Sequence, residues 1–199
     1  MFRNLKSWIS NLLFLVVVAL LAWGVKLFVL DSVTISGASM DYELADGQRL
    51  FQLKLASVER FDIVIFESPT GELDKNGKIK LYIKRIIGVP GDTIEFKDDV
   101  LYLNGVATQE PYLSKKQQEV EQKPFTHDFT LEQVAGVTTV PEGKLFVMGD
   151  NRSNSVDSEE FGFVEQSAVT KVDIRFFPFD KMGILPNYQL NDKGQIVIK

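Results

Sequence analysis

Two residues, Ser39 and Lys84, have side chains and surroundings suited to a serine hydrolase that uses lysine as its base. Ser39 follows a β-rich run and the flexible Gly37 in the sequence ISGASMDYEL, a plausible turn for a nucleophile. Lys84 lies in the apolar, strand-like sequence LYIKRIIGVPG, where burial disfavours the ammonium. A neutral amine can take the proton of an attacking hydroxyl. Taken alone, each residue is more typical of a structural role, the serine in a turn and the lysine at a surface or in a salt bridge.

The strand that carries Lys84 should present alternate side chains to opposite sides. A period of two places Tyr82, Lys84 and Ile86 on one face. Arg85 then faces the other way, and we expect it to remain solvated.

The composition excludes several other kinds of site. The chain has no cysteine and a single histidine, His127, which excludes thiol nucleophiles, disulfides and zinc sites built on a histidine pair. Lys and Arg number 22 against 27 Asp and Glu, so the charge does not favour a nucleic-acid partner. The run DNRSNSVDSEE fails as a calcium loop, because Arg152 occupies a ligand position and the required glycine is missing.

Residues 1–30 predict a cytoplasmic tail and a transmembrane anchor. The run from Trp8 to Leu30 is almost wholly apolar, and about 20 such residues cross the hydrocarbon of a bilayer. Arg3 and Lys6 precede the run, which favours an N-terminus in the cytoplasm and a body on the outer side of the cell membrane. The alternative is a cleaved secretory signal ending near Ala38, but the apolar run is longer than such signals have.

The body, residues 31–199, is predicted to be a mostly β domain, because short β-rich runs alternate with turn residues. We expect strands in VTISG, RLFQLKL, RFDIVIF, IKLYIKRIIGV, DTIEF, VLYLNG, KLFVMG and KVDIRFFPF. A polar segment at about residues 106–139 interrupts this rhythm. We expect it to form an insertion, in which the charged run KKQQEVEQ could support a short exposed helix.

Four sequence boxes, in this order, resemble those of the type I signal peptidases, in particular the single-span form of Gram-positive bacteria. They are SGASM with Leu44, RFDIVIF, YIKRIIGVPGDTIEF and MGDNRSNSVDSEEFG, and the apolar run precedes them. The resemblance implies a membrane-anchored serine endopeptidase with a β-domain of twisted antiparallel sheets. Its partners would be the signal peptides of exported preproteins and the lipid bilayer, and it would need neither a metal nor another cofactor.

The resemblance also implies roles for individual positions. Ser39 would be the nucleophile and Lys84 the general base, while Ser155 would orient the lysine amine. The positions expected to line the substrate cleft, which are also compatible with an ordinary core, are Met40, Leu44, Tyr82 and Ile83. The positions expected to support the site structurally are Asp150, Asn151, Arg152 and Asp157.

Three positions close to the chemistry depart from the family pattern. Tyr42 and Glu43 stand where relatives usually have Pro-Thr, and Glu159 stands where an arginine usually follows the Asp-Ser pair. Loss of that arginine would leave Asp157 without its expected partner. Because carboxylates near Lys84 favour the ammonium, we expect activity that is weaker or shifted to higher pH.

These departures leave a second function open, a weakly active or inactive signal-peptidase-like factor that assists the assembly of surface structures such as pili. Retention of both Ser39 and Lys84 argues for the enzyme, since an inactive homologue has no need of the pair. A self-cleaving, repressor-type Ser/Lys protease is disfavoured by the apolar anchor and by the lack of a DNA-binding segment.

Overall fold

The fold consists of a long N-terminal helix followed by short antiparallel strands. The computed structural model describes residues 2–28, 30–41, 43–113, 117 and 124–199. The helices are α1 (Phe2–Phe28), α2 (Leu131–Ala135) and α3 (Ser158–Phe161). The strands are β1 (Leu30–Thr34), β2 (Arg49–Leu53), β3 (Ile63–Glu67), β4 (Leu81–Gly88), β5 (Ile94–Lys97), β6 (Val100–Leu103), β7 (Val106–Thr108), β8 (Phe129–Thr130), β9 (Lys144–Met148), β10 (Val164–Glu165), β11 (Thr170–Phe177), β12 (Gly183–Ile184), β13 (Tyr188–Leu190) and β14 (Ile196–Ile198).

Helix α1 contains a stretch, Ser7–Gly24, that is long and apolar enough to cross a membrane, with a mean hydropathy of 2.0. Its large side chains, among them Trp8 and Leu21, are exposed rather than packed against the β-sheets. A helix that is apolar on all sides and has no protein around it is stable in lipid, where its own backbone hydrogen bonds satisfy every polar group.

The strands form two sheets and a separate pair. The main sheet has eight strands in the order β1-β2-β11-β3-β4-β9-β10, with β12 paired to β11. The second sheet has the order β7-β6-β5-β8, and β13 pairs with β14. All pairs are antiparallel, and each of the eight runs expected to be extended contains a strand, so the predicted mostly β fold is confirmed.

The polar segment at residues 106–139 contributes to the second sheet. Strand β7 pairs with β6, and β8 pairs with β5, so this sheet begins at Ile94, before the segment itself. The short helix expected in KKQQEVEQ lies, apart from Gln117, outside the described residues. Helix α2 near the end of the segment starts with a capping box between Thr130 and Gln133, which satisfies two of the backbone donors at its N-terminus.

The core is divided by the main sheet because side chains alternate along β3 and β4. On one face, Ile63, Ile65 and Ile83 join a buried cluster with Met40 and Leu44. On the other, Val64, Phe66 and Ile86 join a cluster with residues of β9 and β10. Strand β4 therefore has packed apolar layers on both sides, and this fixes the positions of the polar residues that it carries.

Arg85 is fully buried, so the expectation that it remains solvated is wrong. Its side chain donates to the Asp150 carboxylate at 2.9 and 2.6 Å and to the Phe61 carbonyl at 2.9 Å. The guanidinium also lies over the rings of Tyr112 and Tyr188. Alternation correctly places Arg85 opposite Lys84, but that face is covered by chain segments distant in sequence, which a local pattern does not reveal.

Candidate active site

Ser39 lies on the turn that follows β1. The chain leaves the sheet at Ile35, whose N–H donates to the Gln48 carbonyl at 2.8 Å. It then bends at Gly37, whose φ of +103° is a backbone conformation that other residues rarely adopt. The Leu44 N–H donates to the Met40 carbonyl at 2.9 Å, which closes the turn after the serine. The hydroxyl of Ser39 is therefore presented by a short turn anchored to the main sheet at both ends.

The loop after β9 holds this turn from the other side. The Asn151 N–H donates to the Ser39 carbonyl, and the Asn151 side-chain amide donates to the Ala38 carbonyl, both at 2.9 Å. Gly149 permits the close approach, because a Cβ at that position would lie 2.5 Å from the Ser39 carbonyl oxygen and 2.2 Å from Ser155 Oγ. A glycine is thus required where the two loops meet.

The Lys84 amine lies in a buried polar setting at the wall of a pocket. Its side chain is 3 % exposed, and Nζ lies 2.8 Å from Asp157 Oδ1. The amine also donates a short hydrogen bond to Ser155 Oγ, whose hydroxyl donates to Asp157 Oδ1 at 2.6 Å. The ring of Tyr82 lies 5.4 Å from Nζ on a further side. These contacts restrict the lysine to one orientation.

Ser39 and Lys84 line the same pocket, which has a volume of about 290 Å³ and also exposes Ser155. Within the described residues, the hydroxyl of Ser39 forms no hydrogen bond, while the lysine amine is bonded to Ser155 and Asp157. The structure therefore brings the two groups to one cavity without joining them. Hydrogen bonds between a nucleophile and its base often tighten only when substrate binds.

The four positions expected to line the substrate cleft do not all do so. Met40, Tyr82 and Ile83 line the pocket. Leu44 is fully buried in the apolar cluster beneath it and is not among the lining residues. Leu44 belongs to the same buried cluster as Met40 and Ile83, which do line the pocket.

The four positions expected to support the site lie around the loop after β9. Asp150 pairs with Arg85, and Asn151 binds the serine turn as described above. Asp157 is not left without a partner by the missing arginine, because Lys84, Ser155 and the Gly149 N–H, at 2.9 Å, all contact its Oδ1. These three contacts take the place of the arginine that relatives usually have nearby.

Arg152 reaches away from the pocket into a buried ion pair that sequence reasoning missed. It donates to both carboxylate oxygens of Glu110 and to the Gly149 carbonyl at 3.1 Å. Burial lowers the pKa of Arg152, but Glu110, Tyr112 and Asp150 together raise it, so that it lies above its ordinary value. Tyr112 donates to Glu110 at 2.8 Å, and burial raises the pKa of that phenol. Glu110 and Tyr112 lie in the polar segment at residues 106–139, before the charged run KKQQEVEQ. No sequence motif there indicates a buried role.

Glu159, which stands where relatives usually have an arginine, interacts electrostatically with Asp157 of the site. Burial raises the pKa of the Glu159 carboxyl; His127 opposes this shift, and Asp157 and Glu160 add to it. Asp157 contacts Lys84, so a charge on Glu159 makes the surroundings of the lysine more negative. Glu43 is partly buried, and its backbone carbonyl accepts from Arg175 at 3.1 Å. Tyr42 lies outside the described residues.

No group of His, Asp and Glu side chains among the described residues has the arrangement of a metal site. Among the described residues, the polar side chains that line the pocket carry hydroxyl, amine and amide groups and one carboxylate, that of Glu72. Such groups can deliver a nucleophile, a proton acceptor and hydrogen-bond donors to an amide bond.

Comparison with known proteins agrees with this chemistry. The sequence profile described as "Signal peptidase, peptidase S26" matches residues 5–177. Signal peptidase I of Bacillus caldolyticus is 42 % identical over 163 residues, covering 79 % of this chain and 85 % of that protein. Signal peptidase IB of Staphylococcus aureus is 34 % identical over 188 residues, covering 90 % and 93 %.

A solved structure has the same fold over the matched region. The crystal structure of a signal peptidase I from Enterococcus faecalis V583 has a TM-score of 0.52 and 44 % sequence identity, covering 59 % of this chain and 97 % of that one. The family match and the relatives together define a peptidase. The chain belongs to the signal peptidase family, peptidase S26.

Proposed function

We propose that this protein is a signal peptidase I that removes N-terminal signal peptides from exported preproteins, with Ser39 as nucleophile and Lys84 as general base. The observation that carries the proposal is the pocket shared by these two residues, in which a nearly inaccessible lysine amine is held by Ser155. No observation favours the alternative of an inactive assembly factor, because both reactive side chains line one accessible cavity.

The reaction starts when Oγ of Ser39 attacks the scissile carbonyl and its proton passes to the neutral amine of Lys84. The resulting ammonium returns that proton to the leaving nitrogen, which gives an acyl-enzyme. Water then attacks the ester, with the amine again as base, and releases the signal peptide. The N–H of Ser39 is the obvious donor to the oxyanion.

An unpaired strand edge beside the pocket fits an extended substrate. Strand β4 pairs with β3 from Leu81 to Arg85, whereas β9 on its other side pairs only from Arg85 onwards. Within the part of the chain that the structure describes, the backbone of Leu81–Lys84 thus has one unpaired side at the pocket. An extended peptide can add to such an edge as a further strand, with alternate side chains directed into the cleft. A pocket of about 290 Å³ shared by two reactive groups suits small side chains next to the scissile bond.

The apolar stretch of α1 would hold the catalytic body against the membrane. Arg3 and Lys6 before the stretch favour a cytoplasmic N-terminus, which places residues 31–199 on the outer side as a single-span protein. Substrates arrive through the same bilayer. Tethering the cleft at that surface raises its effective concentration near their cleavage sites.

The direct test is cleavage of a preprotein that carries alanine at positions −3 and −1, with the purified protein in detergent. We expect the wild type to cut once and Ser39→Ala to leave the preprotein intact. Ser167→Ala, which alters an exposed serine outside the pocket, is the matched control and should cut at the wild-type rate. Cleavage that survives in Ser39→Ala would refute the proposed nucleophile. Absence of cleavage by the wild type would refute the proposed peptidase activity.

A further inference from the structure

The pocket that contains Ser39 and Lys84 continues into a larger groove. The groove has a volume of about 700 Å³ and shares six lining residues with the pocket. Those residues are Ile35, Ser36, Glu72, Lys80, Leu81 and Ile83. Beyond them, the groove runs between Val33 and Thr34 of β1 and a hairpin, residues 68–80, that precedes β4. We call this hairpin the groove hairpin.

The groove hairpin is well ordered by its own hydrogen bonds. The Ser68 N–H donates to the Lys80 carbonyl at 2.8 Å, and the Lys80 N–H donates to the Glu72 carbonyl at 2.7 Å. At the tip, the Asp74 N–H donates to the Lys78 carbonyl at 2.7 Å. Its base is tied to the catalytic strand, because Tyr82 donates to the Glu72 carboxylate at 2.8 Å. The hairpin is thus a fixed wall of the groove.

Two large apolar side chains of the groove hairpin are exposed in this groove. Leu73 is 59 % and Ile79 is 46 % exposed. The two residues pair directly across the hairpin, so their side chains project to the same face. Leu81, which is 44 % exposed, continues this apolar strip towards Lys84. An apolar strip in a groove that leads to a reactive pair is the kind of surface that binds apolar side chains of a peptide.

The direction of the groove identifies which part of the substrate reaches it. Strand β1 starts at Leu30, two residues after α1 ends, and runs towards the serine turn, so Val33 and Thr34 lie between the anchor and Ser39. A signal peptide enters from the membrane side, and its apolar segment precedes the scissile bond. Ile79 lies five residue steps before Lys84, which is about 17 Å of extended chain. Substrate residues about four to six positions before the cut therefore lie beside the hairpin.

We infer that Leu73 and Ile79 of the groove hairpin form an additional specificity subsite, which binds apolar side chains about four to six residues before the scissile bond. This inference rests on the proposed peptidase function and adds a determinant of substrate choice to it. Both residues lie outside the pocket of Ser39 and Lys84, so they act on substrate binding and not on the chemical step.

The experiment compares preproteins with leucine or aspartate at positions −4, −5 and −6, all with alanine at −3 and −1. For the wild type, we expect kcat/KM to fall about tenfold when leucine is replaced by aspartate at the position beside the hairpin. Leu73→Lys and Ile79→Lys should lose this preference and cut the aspartate substrate better than the wild type does, because each replaces an apolar side chain of the strip by a further cation beside Lys75, Lys78 and Lys80. kcat at saturating substrate should be unchanged.

Ile198→Lys is the matched control, since Ile198 is a 70 % exposed isoleucine on β14 outside both cavities, and it should keep the wild-type preference. A thermal unfolding midpoint within a few degrees of the wild type shows that each variant is folded. If the wild type cleaves in a Ser39-dependent manner but the lysine variants discriminate between the substrates as it does, this inference is overturned and the proposed function stands. If the wild type cleaves none of the substrates, the proposed function itself fails.

Discussion

The two faces of strand β4 hold neighbouring cations in different ways. Lys84 and Arg85 are both buried, and each pairs with an aspartate of the segment after β9, Asp157 and Asp150 respectively. Arg85 is sealed by a bidentate ion pair, a backbone carbonyl and two aromatic rings. The Asp157 carboxylate that contacts Lys84 also accepts from the Ser155 hydroxyl, and Lys84 lies at the wall of a cavity. Burial alone therefore does not make a base; the group must also be able to release its proton next to a nucleophile.

The chemistry of the two side chains adds to this difference. A guanidinium remains charged in proteins and binds a carboxylate through a rigid fork, whereas a lysine amine loses its proton more readily when it is buried. Burial lowers the pKa of Arg85, but Asp150, Tyr112 and Glu43 together raise it, so that it lies above its ordinary value. Arg85 is thus suited to structure and Lys84 to proton transfer, which gives four ways to test the contrast.

The largest expected effect is the loss of activity in Lys84→Met. Removal of a general base typically lowers the rate by about 10²–10⁴-fold, and here kcat should fall by about 10³-fold while KM changes little. The measurement is steady-state cleavage of the preprotein. Lys97→Met, which alters an exposed lysine on β5, should retain full activity. An active Lys84→Met would show that the enzyme uses another base.

The second effect is the loss of stability in Arg85→Met. This change leaves Asp150 buried and unpaired, which should lower the free energy of unfolding by roughly 3–5 kcal/mol. Lys84→Met should cost less, because Asp157 retains hydrogen bonds from Ser155 and the Gly149 N–H and lies beside a cavity. The two variants are compared by denaturant unfolding of the β domain, residues 31–199, in detergent. Equal decreases in the free energy of unfolding would mean that Arg85 and Lys84 contribute equally to stability.

A smaller effect is expected for Ser155→Ala, which removes the hydroxyl between Lys84 and Asp157. Hydrogen bonds to charged groups contribute about 1.5–3 kcal/mol, so kcat should fall about 10- to 100-fold. Because Ser155 positions the base, the pH dependence of kcat should also change, and Ser155→Thr should restore part of the rate. The exposed Ser153 provides the control Ser153→Ala. A change in KM alone would assign Ser155 to substrate binding.

The smallest effect is expected for Glu159→Gln. Because burial raises the pKa of Glu159, its ionised form is less favourable in the folded chain than in the unfolded one. The penalty is absent below the ordinary glutamate pKa of about 4.3 and develops as pH rises through the higher folded value. Glu159→Gln should therefore match the wild type at low pH and be slightly more stable at neutral pH, by less than about 1 kcal/mol, since the side chain is partly exposed.

The same variant tests whether Glu159 influences the lysine. Removing its charge makes the surroundings of Asp157 and Lys84 less negative, so the pH–rate profile should move to lower pH. Glu67→Gln, an exposed acid on β3 outside the catalytic pocket, should leave the profile unchanged. An unchanged profile in Glu159→Gln would mean that solvent screens this carboxylate from the reaction.

The sequence predicts the strands well because their alternation of side chains reflects burial on two faces. Tyr82, Lys84 and Ile86 share a face for this reason, and each of the longer strands was found. Strands of two or three residues, such as β10 and β13, are too short to show a period. Their positions depend on pairing with distant segments, which no local pattern contains.

The site was predicted only where residue chemistry and order along the chain agreed. Residue chemistry indicates Ser39 and Lys84, the resemblance to the signal peptidase boxes adds Ser155, and all three line one pocket. Leu44 was selected with them, but packing beneath the turn removes it from the lining. Glu110, the buried partner of Arg152, was not selected, because its partner lies 42 residues further along the chain and its own surroundings are polar.

The most direct test of the account is a double-mutant cycle on kcat/KM for Ser39→Ala, Lys84→Met and the variant that carries both. If the hydroxyl and the amine act as one unit, each single variant loses almost all activity and the double variant loses no more than either. Losses that multiply, so that the double variant is slower by the product of the two single effects, would contradict a shared catalytic step. Such a result would mean that Ser39 and Lys84 act independently.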